Sequence, residues 1–316
     1  MSRVMTVHEP GMFTTVQDLG RTGFASQGVP ESGAADALSL RVGNRLLGNP
    51  DSAAALECTL RGPTVSFSRD TWVCVTGATG AGFDEGVPML ARAGVPVALG
   101  GLERGARAYL CVQGGLDVPL VMGSAATLVR AGLGGFQGRA LRGGDVIGVG
   151  EVTGAVADAG VCEAVSAWLA GVLGRRTVRV VAGLHADLFS QAARATLAEH
   201  EFTVSDRSDR VGVRLSGPVV PGVADGSLLS EGTAVGNIQI PGDGQPIVLG
   251  VDRPTTGGYP VIACVIAADL PVLGSLRPRE RVRFAWVTID QAWSVRQEQE
   301  AMLDRIVRAL KRSDAS

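Results

Sequence analysis

The sequence predicts a mainly β fold in two domains with a few helices, and three observations carry that reading. Short apolar or alternating segments recur between glycines and prolines, 44 glycines punctuate the chain, and one helix followed by a paired-arginine step separates two strand-rich halves. At 316 residues the chain is about two domains long, and 46% hydrophobic content fills two cores.

Strands are expected at 71–75, 95–99, 108–112, 145–149, 178–181, 247–251 and 281–287, where valine, isoleucine and aromatic residues alternate or cluster. A first helix, near 32–47, takes Ser32 as its N-cap, carries Leu38, Val42 and Leu46 on one stripe, and stops at Gly48 before Pro50. A second, 161–173, aligns Val161, Val165, Trp168 and Val172 and ends at Gly174. A third, 186–200, has a looser pattern. The fourth, 289–311, opens on a capping box of Thr288 and Gln291 and carries Trp293, Leu303, Ile306 and Leu310. Arg175-Arg176 follows the second helix as a seam, dividing domains at 1–174 and 175–316. Residues 60–65 and 215–220 both read as leucine, one residue, then Gly-Pro, a short echo between the halves.

Composition excludes several function classes. Charged residues make up 19% of the chain and the net charge is -2, too weak a field to hold a nucleic acid or an anionic membrane. The only lysine is Lys311. A phosphate-gripping loop, a Schiff base and a biotin carrier each need a lysine that this chain lacks at any suitable place, so those functions fall to another chain if they operate. Cys58, Cys74, Cys111, Cys162 and Cys264 form no CxxC pair and read as reduced core residues of a cytosolic protein. His8, His185 and His200 show no metal-ligand spacing, and no metal site is expected. His185 reads as a polar surface histidine, with a functional loop residue as the alternative. No secretory h-region fits around His8, Glu9, Pro10 and Gly11, and the longest apolar run, 261–268, stops at Asp269 and Pro271, so a cytoplasmic location is expected.

The glycines of 76–82 imitate a dinucleotide-binding loop, but Gly86 and Pro88 stand where its helix would have to begin, so a turn between strands is expected. Three polar clusters lie inside glycine-rich turns, where strongly polar side chains are costly without partners or ligands. They are 11–21 continuing to Ser32-Gly33-Ala34-Ala35-Asp36, then 208–215, then 230–260 with Gln239, Asp243, Gln245, Asp252, Arg253 and the run Thr255-Thr256-Gly257-Gly258-Tyr259.

These clusters, with Asn49, Leu56-Glu57-Cys58, Gly114-Gly115-Leu116-Asp117 and 134–141, resemble the allophanate hydrolase subunit 2, or biotin-dependent carboxyltransferase, family, which includes components of 5-oxoprolinase. Ala35, Val211, Val213 and Ala182-Gly183 depart from the family pattern by small or apolar replacements. The resemblance implies two cyclophilin-like β-barrel domains. It also implies a partner of the allophanate hydrolase subunit 1 type (the 5-oxoprolinase B subunit) and, for the 5-oxoprolinase members, a third chain, the 5-oxoprolinase A subunit. ATP is then used by the complex and not bound by this chain alone, and the isolated chain is expected to be inactive.

Opening a lactam needs a carboxylate base, donors for a carboxylate or phosphate, and backbone N–H groups. Glu231, Asp243 and Asp252 are the candidate catalytic carboxylates; Arg210, Gln239, Gln245, Arg253, Thr255, Thr256, Gly257, Gly258 and Tyr259 are the candidate substrate-binding residues. Two other readings stay open. One is carboxyl transfer from biotin carried on another chain, in a urea carboxylase or allophanate hydrolase system. The other is a non-catalytic regulator that binds a kinase-inhibitor-like partner.

Overall fold

A computed structural model describes residues 2–223 and 228–313, and the side chains of 307 and 309–313 lie outside the described residues. The chain forms two compact units. Unit 1 comprises residues 1–21, 32–173 and 301–316, and unit 2 comprises 22–31 and 174–300. Among the described residues the fold is mainly β with five α-helices: α1 (Ala37–Leu46), α2 (Ala159–Leu173), α3 (Gln191–Glu199), α4 (Leu270–Ser275) and α5 (Ile289–Ser313).

Unit 1 holds two five-stranded sheets. In one, the Arg107–Val112 strand lies between Ala55–Thr59 and Thr71–Thr76, antiparallel to both. In the other, Val4–Glu9 lies between Thr64–Phe67 and Val146–Val149. Alternate residues share a sheet face, so Met5 and Val7, Leu56 and Cys58, and Leu110 and Val112 enter one core. The remaining faces of Cys74, Tyr109 and Cys111 pack with Leu38, Leu40 and Leu46 of α1, Val165 and Leu169 of α2, and Leu303 and Ile306 of α5. The glycines of 76–82 make the predicted turn, running from Thr71–Thr76 into the two-residue strand Thr79–Gly80 without a helix.

Unit 2 is a closed barrel of seven strands, ordered Thr177–Ala182, Val261–Val265, Asn237–Gln239, Ile247–Leu249, Gly212–Ser216, Phe202–Val204 and Arg281–Trp286. Closure comes from parallel pairing of Val178 with Phe284, and it leaves no unpaired edge in the ring. Val178, Val180, Phe202, Ile238, Val248, Ile262 and Phe284 fill the interior.

Three helix expectations need correction. The cap of α1 is Asp36, which accepts from Ser39 N at 2.9 Å; Ser32 has φ 56° and Gly33 φ 84°, left-handed conformations that no helix start tolerates. The helix expected at 186–200 begins at Gln191 behind its cap Ser190, with a separate 3-10 turn at Ala186–Leu188. The helix α4 was not expected, because Pro271 reads as a stop; in a first helical turn proline has no N–H to lose. In α5 the capping box is reciprocal, Thr288 N to Gln291 Oε1 at 2.9 Å and Gln291 N to Thr288 Oγ1 at 3.2 Å. Leu303 and Ile306 are buried, but Trp293 is 66% exposed. Ten residues of helix rotate Trp293 about 80° away from the Leu303 face. The side chain of Leu310 lies outside the described residues.

Candidate functional site

Strand register in unit 2 decides where the third polar cluster goes. Gly212 is paired with Leu249, so Arg210 and Asp252, each just beyond its strand, meet at one end of the barrel. Arg210 donates from Nε to Asp252 Oδ2 at 2.8 Å and from Nη2 to Oδ1 at 3.1 Å, and both side chains are 9% exposed. This bidentate pair is a structural clamp. Arg253, 3% exposed, donates from Nη1 to Glu31 at 2.7 Å and from Nη2 to the Thr233 carbonyl at 3.2 Å. Its Nε is buried and has no hydrogen-bond partner among the described residues.

Beside the barrel, Glu231–Gly232 pairs with Thr256–Gly257 as a two-stranded ribbon, with Glu231 opposite Gly257 and Gly232 opposite Thr256. Backbone bonds extend it: Thr233 N donates to Thr255 O at 3.0 Å and Leu228 N to Gly258 O at 3.2 Å. Gln239, 6% exposed, lies under the ribbon; a Cβ on residue 257 would come within 2.8 Å of its Nε2, so a side chain there would displace the Gln239 amide. The Glu231 side chain is 49% exposed, and its Oε2 lies 3.4 Å from Nε2 of His185. Tyr259 is half exposed nearby in sequence.

The candidates therefore separate into three groups. Glu231 and Gln239 flank the ribbon of Thr255, Thr256, Gly257 and Gly258. Arg210 with Asp252, and Arg253 with Glu31, are paired ions. Asp243 and Gln245 serve their own turns: Asp243 accepts from Gln245 N at 3.0 Å, and the Gln245 amide bridges the N–H and C=O of Gly217 at 2.8 and 3.2 Å. Sequence reasoning gave His185 no partner. Its only signal was its position just after the 178–181 strand, and its neighbours come from chain segments far along the sequence.

Unit 1 contains a second polar array, in which residues of the first cluster meet Glu57, Arg107, Tyr109 and Ser124 from elsewhere in the unit. Glu57, 1% exposed, accepts from the Ala35 N–H and the Tyr109 hydroxyl, both at 2.8 Å, with Arg107 Nε at 3.6 Å. Tyr109 in turn accepts from Asp36 N at 2.8 Å. Asp18 accepts from Gly20 N, the Ser124 hydroxyl and Ala125 N, each at 2.7 Å. Arg21, 1% exposed, donates to the Ala126 carbonyl. Burial pushes the Asp36 carboxyl up to about 7, and burial does the same for Glu85. Burial likewise lifts the Cys58 thiol to about 12, keeping it in the unreactive thiol form.

A barrel with polar turns at its rim, joined to a second β unit, matches the family model described as a carboxyltransferase domain, subdomains A and B, over residues 27–286, and the chain belongs to that family. Within it, the chain is 37% identical to the 5-oxoprolinase C subunit of Escherichia coli, over 96% of this chain and 97% of the relative. It is 35% identical to the 5-oxoprolinase C subunit of Haemophilus influenzae, over 93% and 94%. The urea carboxylase structure of Kluyveromyces lactis superposes with a TM-score of 0.87 at 28% identity, covering 96% of this chain and 29% of that one. Among the described residues no helix is long and apolar enough to cross a membrane.

Proposed function

We propose that the chain is the C subunit of an ATP-dependent 5-oxoprolinase and takes part in the hydrolysis of 5-oxo-L-proline to L-glutamate. The observation that carries this reading is the reciprocal match to the C subunit of the Escherichia coli 5-oxoprolinase, 96% of one chain against 97% of the other. A five-membered lactam is an unstrained amide, and water attacks its carbonyl only after the resonance is broken. Transfer of the γ-phosphoryl of ATP to the amide oxygen, with ADP leaving, makes the carbon electrophilic. Water then adds, the C–N bond breaks with a proton delivered to nitrogen, and phosphate departs.

This chain's own groups suit the amide better than the nucleotide. Its only lysine is Lys311, and Arg210 and Arg253 are engaged by Asp252 and Glu31, so the phosphate-gripping cations belong to a partner in this scheme. Glu231 remains accessible as a base or acceptor. The partners are a 5-oxoprolinase B subunit of the allophanate hydrolase subunit 1 type, together with a 5-oxoprolinase A subunit, and the isolated chain is inactive. Reconstituting the three chains and measuring glutamate and phosphate release tests the assignment; glutamate formation unchanged when this chain is omitted rejects it.

The family's carboxyltransferase name and the urea carboxylase superposition favour a second reading, carboxyl transfer from biotin on another polypeptide. Carboxylation of urea with a biotinylated carrier, and no glutamate release, would select it.

A further inference from the structure

We infer that His185 and Glu231 form a paired donor and acceptor that binds the cis-amide edge of a ring, the edge shared by a lactam and a cyclic urea. For the lactam this rests on the proposed 5-oxoprolinase function. The imidazole is fixed by one residue of the neighbouring strand. His185 N donates to Val261 O at 3.0 Å, and Val261 N donates back to His185 Nδ1 at 3.1 Å. With Nδ1 committed as an acceptor, the neutral ring carries its proton on Nε2. Nε2 lies 3.4 Å from Glu231 Oε2, longer than an ordinary hydrogen bond, and the half-exposed carboxylate keeps acceptor capacity to spare. One neutral N–H donor and one carboxylate acceptor therefore stand side by side.

Open-chain secondary amides are trans, with C=O and N–H pointing in opposite directions. Ring closure forces the cis form, placing both groups on one edge with oxygen and nitrogen about 2.3 Å apart by standard amide geometry. Such an edge offers its oxygen to His185 Nε2–H and its N–H to Glu231, as two parallel hydrogen bonds. A trans amide reaches one partner at a time. The Glu231 carboxylate is reached from solvent, its side chain being 49% exposed.

The test uses the full chain labelled with 15N-histidine, whose three histidines are assigned through His185→Gln. Imidazole spectra are recorded at alkaline pH while 5-oxoproline, 2-imidazolidinone or N-acetylglycine is added. The expected result is an Nε2–H tautomer at His185, a shift with either ring compound, and none with the open-chain amide. Glu231→Gln is expected to keep the tautomer and lose the shift. In the reconstituted complex, His185→Ala and Glu231→Gln are each expected to raise the KM for 5-oxoproline at least tenfold. An Nδ1–H tautomer, an equal response to N-acetylglycine, or an unchanged Glu231→Gln spectrum overturns the inference. Ring compounds that shift the signal in a complex with no 5-oxoproline-dependent ATP hydrolysis uphold the binding pair and reject the 5-oxoprolinase assignment. A response to 2-imidazolidinone alone assigns the edge to a ureido ring.

Discussion

The polar array of unit 1 and the polar ribbon of unit 2 use similar residues for opposite ends. Glu57 is 1% exposed and is met by Ala35 N–H, the Tyr109 hydroxyl and Arg107, whereas the Glu231 side chain is 49% exposed and faces His185 alone among these contacts. A carboxylate with a full set of partners holds turns together; one with remaining capacity at an open edge can receive a ligand. The difference separates anchor from candidate site more reliably than residue type does, since both carboxylates are glutamates on strands.

The strongest challenge to this contrast is Glu57→Ala. It strips the acceptor from two buried donors and removes the carboxylate 3.6 Å from Arg107 Nε, so stability is expected to fall by about 3–5 kcal/mol, read from urea unfolding. Next is Glu231→Gln, expected to lower turnover of the reconstituted complex by about 100-fold while changing unfolding free energy by less than about 0.5 kcal/mol. Loss of stability comparable to that of Glu57→Ala would make Glu231 an anchor as well.

A third test uses pH. The Asp36 and Glu85 carboxyls are raised to about 7 by burial, so between the ordinary carboxylate range and neutrality the folded chain holds more protons than the unfolded chain. Stability from these groups is fully present below about pH 4 and falls as pH rises through 7, by at most about 1.4 kcal/mol per pH unit for each group. Asp36→Asn, which retains a capping side chain, is expected to remove its share of that slope in thermal unfolding followed from pH 4 to 8. The smallest effect is Asp243→Ala, which loses one turn contact to Gln245 N; about 1 kcal/mol of stability goes, and activity stays as it was.

Much of the fold was legible because it rests on local rules. Valine-rich alternation marked the 71–75, 108–112 and 281–287 strands, and Thr288 with Gln291 marked the start of α5. The cap of α1 was missed because serine followed by glycine fits both a helix start and a left-handed turn, and only the chain's approach to Thr127 selects the turn: Ser32 Oγ donates to the Thr127 carbonyl at 3.1 Å. Helix α4 was missed because proline at a first helical turn and proline as a terminator look alike in sequence.

The candidate site was legible as a cluster, but its internal assignments were not. By itself the sequence determined that polar side chains would gather in turns at strand ends, that lysine chemistry was excluded, and that Glu231 was one of three carboxylates worth naming. Only the tertiary structure decided that Arg210 would close on Asp252, 42 residues away, that Arg253 would reach Glu31, 222 residues away, and that His185 would stand beside Glu231. Propensity acts over a few neighbouring residues, whereas these pairings follow from barrel closure and strand register, which fix side chains against partners that no local pattern encodes.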